Sequence, residues 1–135
     1  MEFISWTDEL SVGVKSFDEE HKKLITYVNE LNQALSIGSA QKTMEDILGN
    51  LVNYTVIHFN HEEDYMKIHD YPGYAQHHKE HEELKAQVAD FNSRIKSGKT
   101  SFSLELMMFL KNWLTQHIMG SDMLYKDFFS SKGAR

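Results

Sequence analysis

The chain has 135 residues, 41% of them hydrophobic, a net charge of −6 and no cysteine. That length makes one ordinary domain, able to bury roughly two-thirds of its unfolded surface. Without cysteine there is no disulfide framework, thiolate zinc site, iron–sulfur cluster or covalently attached haem, so any metal must sit on nitrogen and oxygen. The acidic balance argues against a phosphate-binding surface and therefore against nucleic acid as a partner. No apolar run reaches the ~18 residues of a membrane span, and the opening MEFISWTDEL lacks the basic-then-apolar pattern of a signal peptide. The expectation is a soluble, cytoplasmic monomer.

Breaks fall at Gly13, Ile37-Gly38-Ser39, Asp70-Tyr71-Pro72-Gly73, Ser97-Gly98-Lys99 and Gly120. Between them the spacing predicts four helices joined by short connections, an all-α, up-down-up-down four-helix bundle preceded by an N-terminal arm. Residues 1–17 form the arm, 18–128 the bundle with a helix-end segment, and 129–135 a tail, all within one domain over 1–135.

The first helix runs from about Asp18 to Leu35, with Ser16 and Glu19 spaced as a capping box. It sets His21 beside Phe17, Leu24, Val28 and Leu31 on the inward face. The second spans about Gln41 to Ile68, and its apolar stripe through Ile47, Leu48, Leu51, Thr55 and Met66 runs under both His58 and Glu62. A carboxylate in the middle of that stripe is costly to bury unless paired or metal-bound. His61 falls about 95° to one side and reads as a solvated surface residue, and His69 as a helix-end residue.

The third helix covers about Tyr74 to Ile95, where Leu84, Val88, Phe91 and Ile95 define the buried direction. His77 lies on its centre, His81 about 40° away, and His78 about 100° off, again on the solvated side. The fourth helix, from about Ser103 to Met119, puts His117 among Leu106, Leu110, Trp113 and Leu114. Any single inward histidine is more commonly a hydrogen-bonded core residue than a ligand. Here every helix offers one, and His58-x-x-x-Glu62 and His77-x-x-x-His81 are i, i+4 pairs able to bracket an ion. Asp122 follows His117 by five residues, about 140° around a straight helix, so it joins the set only if the helix bends or ends first, with Gly120 the expected break.

The segments FDEEH, HFNHEE, HHKEH after a proline turn, and WLTQHIMGSD resemble those of the hemerythrin family in its single-domain bacterial form, in the same order and spacing from Trp6 to about Phe128. One departure is Glu20, where the family often has glutamine before the first histidine. The resemblance implies two non-haem iron ions with a solvent-derived oxo or hydroxo bridge. It assigns His21 and His58 to one iron and His77, His81 and His117 to the other, with Glu62 and Asp122 bridging. It further implies reversible O2 binding, and NO or small anions as other ligands for the open position. Counting supports this: seven protein ligands are too many for one tetrahedral ion, and two six-coordinate ions with a shared oxygen retain one open position. Trp113, Leu114 and Ile118 resemble the lining of the family's O2 pocket, a role compatible with ordinary core packing. The rivals are a di-iron oxidase, peroxidase or nitric-oxide-handling protein, an O2- or NO-responsive sensor, and a metal store or structural histidine cluster. Ferritin-like enzymes use Glu-x-x-His, and no histidine in this chain has Glu three residues before it.

Overall fold

The computed structural model describes residues 3–99 and 101–133. The first two residues of the expected arm and the last two of the expected tail lie outside that range. The helices are α1 (Lys15–Ser36), α2 (Gln41–Ile68), α3 (Tyr74–Lys96), α4 (Leu104–Gln116) and α5 (Met123–Ser131). A 3₁₀ turn at Asp8–Leu10 precedes α1, and a π-helical segment, His117–Asp122, joins α4 to α5. No strand occurs among the described residues.

Helices α1 to α4 form an up-down-up-down four-helix bundle, in which α2 packs between α1 and α3, and α4 against α1. The α1, α2 and α3 ends share one device. At each, a residue in the left-handed region lets two amides turn back onto the last turn: Ser39 N–H to the Ala34 carbonyl, Tyr71 to Met66 and Lys99 to Arg94, all at 2.9 Å. Gly38 and Gly98 supply that conformation at φ 70° and 78°, while Asp70 does so at φ 53°.

Three boundaries depart from expectation. Helix α1 begins at Lys15, and the Ser16/Glu19 capping box does not form, because Ser16 is already inside the helix. No side chain caps this helix; Asp18, in its first turns, instead accepts from the Val12 amide at 2.9 Å and the Ser11 hydroxyl at 2.6 Å. Those bonds tie the arm to the helix; Val12, Val14 and Ile4 are buried, and Asn29 clamps Ile4 through both of its backbone groups at 2.8 Å. At the other end Gly120 breaks nothing. It has no left-handed φ, and the chain passes through the π segment into α5 without stopping. The expected tail from residue 129 is therefore partly helix, with Phe129 fully buried.

The core divides in two. One apolar cluster fills the bundle between Leu24, Leu48, Leu106 and Leu114. A smaller, aromatic-rich one joins Val12, Val14 and Phe17 to Met66, Tyr125 and Phe129. His21, His58, Glu62, His77, His81, His117 and Asp122 are all buried as well.

Candidate metal centre

Each helix delivers its polar groups by the periodicity that buries its apolar stripe. In α2, Phe59 and Met66 lie inward, and the same face carries His58 and Glu62 at i, i+4. In α3, His77 and His81 do likewise with Val88 and Ile95. Helix α4 brings Leu110, Trp113 and Leu114 inward, and the π segment adds His117, Ile118 and Asp122. Its i→i+5 hydrogen-bonded pitch widens the turn, so two residues five apart face one direction. That is why Asp122 reaches the centre without the helix ending.

The five imidazoles all turn Nε2 toward the two carboxylates. His77 and His117 approach Asp122 Oδ1 at 2.9 and 3.1 Å, and His21 approaches Asp122 Oδ2 at 2.9 Å. His58 and His81 approach Glu62 Oε1 at 3.3 and 3.2 Å. Yet Nε2 of His21, His58, His81 and His117, Glu62 Oε1 and Asp122 Oδ2 form no hydrogen bond. They are near one another but form no hydrogen bond, whereas His77 Nε2 does bond Asp122 Oδ1. Neighbouring donors around one ion at roughly 2.1 Å stand about 3 Å apart. The donor atoms sort into two groups, Glu62, His77, His81, His117 and Asp122, and His21, His58, Glu62 and Asp122, each lying within 4.8 Å of one another. Both carboxylates belong to both groups.

Mutual pairing reverses what burial would do to these side chains. Burial lowers His58, but the Glu62 charge and the Glu20 hydrogen bond lift it to about 9. His117 rises against burial to about 10 through Asp122 and Glu62. Burial pushes Glu62 and Asp122 up, and the surrounding imidazoles hold both well below the carboxylate range. Without a metal ion, His58 and His117 favour the protonated form opposite the two buried carboxylates.

Around this set lie three groups that the helix-face reading missed. Tyr125, fully buried, donates its hydroxyl to Glu62 Oε2 and stacks near His77 at 5.6 Å between ring centres. Burial and the nearby Asp122 and Glu62 charges push its phenol well up. The signal was the spacing Asp122-x-x-Tyr125-x-x-x-Phe129, an inward stripe running past the expected helix end. Glu63 is also buried, four residues after Phe59 and three before Met66. It accepts from Nδ1 of His81 at 2.8 Å and of His78 at 2.5 Å. Glu20 accepts from Nδ1 of His58 at 2.5 Å and of His61 at 2.7 Å. Burial raises Glu20, but these imidazoles outweigh it and hold its carboxyl below the usual value. His61 and His78 are thus partly exposed, at 37% and 45% of their side chains, but not merely solvated. His69 caps the end of α2, its ring nitrogen on the Tyr65 carbonyl at 3.0 Å.

Trp113, Leu114 and Ile118 are buried in the larger apolar cluster, beside Phe59, whose ring stacks on His81 at 3.9 Å. Helices α3 and α4 are held together by the Trp113 indole N–H on the Leu84 carbonyl at 3.3 Å and by the Phe91–Phe109 contact at 4.7 Å. Between them a cleft of about 430 Å³ opens to the surface, with Leu84, Phe109, Trp113 and His117 among its walls.

A four-helix bundle whose facing helices converge seven histidines and acids on one buried centre matches a known family model, the hemerythrin HHE cation binding domain, over residues 12–129. The chain belongs to the hemerythrin HHE family. Among relatives of this hemerythrin chain, the bacteriohemerythrin of Stenotrophomonas maltophilia is 32% identical over 94% of this chain and 82% of its own length. That of Methylococcus capsulatus is 30% identical over 93% and 95%. A crystal structure of wild-type hemerythrin superposes with a TM-score of 0.87 at 29% identity, covering 93% of this chain and 96% of that one. A hemerythrin variant superposes with 0.89 over 94% and 97%. No helix among the described residues is long and apolar enough to cross a membrane.

Proposed function

We propose that this hemerythrin binds O2 reversibly at two non-haem iron ions. The observation that carries the proposal is the pair of overlapping donor groups with Glu62 and Asp122 in common, most of whose buried nitrogen and oxygen atoms, four of the five imidazole Nε2 atoms included, lie close together yet form no hydrogen bond. His21 and His58 would hold one ion and His77, His81 and His117 the other, with the two carboxylates bridging. Imidazole with carboxylate suits iron among several metals. When bound, such a pair supplies the two electrons that O2 takes up on binding and returns on release.

The protein's part is to hold that exchange reversible. Trp113, Leu114 and Ile118, buried in the larger apolar cluster, would limit the access of water, and with it protons, to the centre. The Tyr125 hydroxyl is committed to Glu62, and its raised pKa opposes giving the proton up. Five imidazoles against two bridging carboxylates make a donor set poorer in negative charge than the carboxylate-rich sites that activate O2, which favours carriage over oxidation.

Stopped-flow mixing of the reduced, iron-loaded protein with O2, followed by deoxygenation, tests the proposal. Repeated formation and loss of the same absorption bands is the expected result. Oxidation at the first exposure with no recovery would overturn it. Leu114→Ala should speed the decay of the oxygenated chromophore several-fold with unchanged iron content; a wild-type decay would reduce Leu114 to core packing.

A further inference from the structure

Two short motifs repeat around the centre. His58-Phe59-Asn60-His61 on α2 and His78-Lys79-Glu80-His81 on α3 each pair one buried histidine with one partly exposed histidine three residues away. A carboxylate from the preceding helix clasps each pair. Glu20 of α1 takes the Nδ1 protons of His58 and His61, and Glu63 of α2 takes those of His81 and His78, at 2.5 to 2.8 Å. The inner member serves a different donor group in each case, His58 beside His21 and His81 beside His77 and His117. By contrast, Nδ1 of His21 and of His117 is buried without a hydrogen-bond partner.

We propose that Glu20 and Glu63 are the positioning residues of the two halves of the metal site, and that His61 and His78 keep those carboxylates turned inward. The inference rests on the metal reading above. An imidazole that donates Nδ1–H to a carboxylate has its tautomer fixed, so Nε2 presents its lone pair to the centre, and the anion behind the ring makes that lone pair more basic. A carboxylate at the edge of a bundle would otherwise turn to water. The outer imidazole occupies its second oxygen and removes that alternative. The two clasps also add two negative charges to those of Glu62 and Asp122, so that four carboxylates face the positive charge of two divalent ions. Glutamate at position 20 therefore does what an amide could do only in part: Gln accepts from one Nδ1–H but presents an NH2 group to the other.

The test uses cobalt(II) as the probe of affinity and the midpoint potential of the iron-loaded protein as the probe of charge. Glu20→Ala and Glu63→Ala should weaken cobalt binding about tenfold to a hundredfold. Glu20→Gln and Glu63→Gln, which preserve shape, should recover much of that affinity but raise the midpoint potential, because lost negative charge disfavours the oxidised ions. His61→Ala and His78→Ala should bind two ions with a smaller loss. Wild-type affinity and potential in all four glutamate variants would overturn the proposal. If an Ala variant does not fold, the potential of its Gln counterpart decides. Wild-type protein that takes up no pair of cobalt ions overturns the metal reading itself, whereas normal wild-type loading with unaffected variants overturns the clasps alone.

Discussion

Helix α2 and the α4–π–α5 helix each bring one histidine and one carboxylate to the same centre, with different backbones. In α2 the pair is His58 and Glu62 at i, i+4, and Nε2 stands 3.3 Å from the carboxylate. In the π segment it is His117 and Asp122 at i, i+5, and the distance is 3.1 Å. Both histidines are lifted far above the ordinary imidazole value by their buried carboxylates. What the centre requires is the position of the donors, and the backbone meets it either by ordinary periodicity or by one widened turn. Past that turn, Tyr125 and Phe129 return to the inward face.

Deletions separate the two designs most strongly. Removing Asn60 from α2 rotates one half of a regular helix against the other by about 100°. Leu48 and Leu51, or Met66 on the other side, would then leave the core, at about 1.5–3 kcal/mol for each side chain. Against a total stability of about 5–15 kcal/mol, and with His58 and Glu62 no longer aligned, the variant should not fold. Removing Gly120 from the π segment instead returns that turn to α-helical pitch, with the histidine and aspartate at i, i+4 and α5 still in register. That variant should keep its helix content, with a melting temperature only a few degrees lower. Circular dichroism checks both. Equal damage from the two deletions would mean that the π segment is not an inserted turn.

A smaller effect joins the two pairs through pH. In protein stripped with a chelator, the raised values of His58 and His117 add stability that is complete below their unfolded value of about 6.5 and disappears as pH climbs to about 9 and 10. The lowered Glu62 and Asp122 contribute above about pH 4.5 and lose that contribution only as the solution becomes strongly acidic. The stripped protein should therefore melt at its highest temperature between about pH 4.5 and 6.5 and at falling temperatures toward pH 10. The loss is on the order of 3 kcal/mol for His58. Loading with iron should abolish the decline, because metal ions replace the protons and bind more tightly as pH rises. A flat melting curve for the stripped protein from pH 6.5 to 10 would contradict the buried pairing.

These differences also explain what could be read from the sequence. Wherever a helix keeps its ordinary period, the apolar stripe locates the polar groups that share it, and His58, Glu62, His77 and His81 were legible for that reason. Asp122 was legible only through the resemblance to hemerythrins, since a straight helix turns it away from His117. The expectation that the helix bends or ends at Gly120 closed the fourth helix near Met119, which hid α5 and with it Tyr125 and Phe129. His61 and His78 were placed on the outer face correctly, but an angle around one helix does not reveal a carboxylate on the next. Glu20 and Glu63 contact those histidines across helix interfaces, at a separation in sequence that no local pattern records. The capping box failed for a similar reason: the arm docks on the bundle and offers Val12 and Ser11 to Asp18, so the helix begins earlier than its local signals indicate.

The most direct test of the shared centre is metal stoichiometry under anaerobic conditions, titrating ferrous iron into stripped protein and counting bound iron per folded chain. Wild-type protein should bind about two ions, with Glu62 and Asp122 common to both. His58→Ala and His77→Ala should each fall below two, while His61→Ala and His78→Ala should reach it. A wild-type endpoint of one ion, or the same endpoint for all four variants, would contradict a two-metal centre built from the inward faces of four helices.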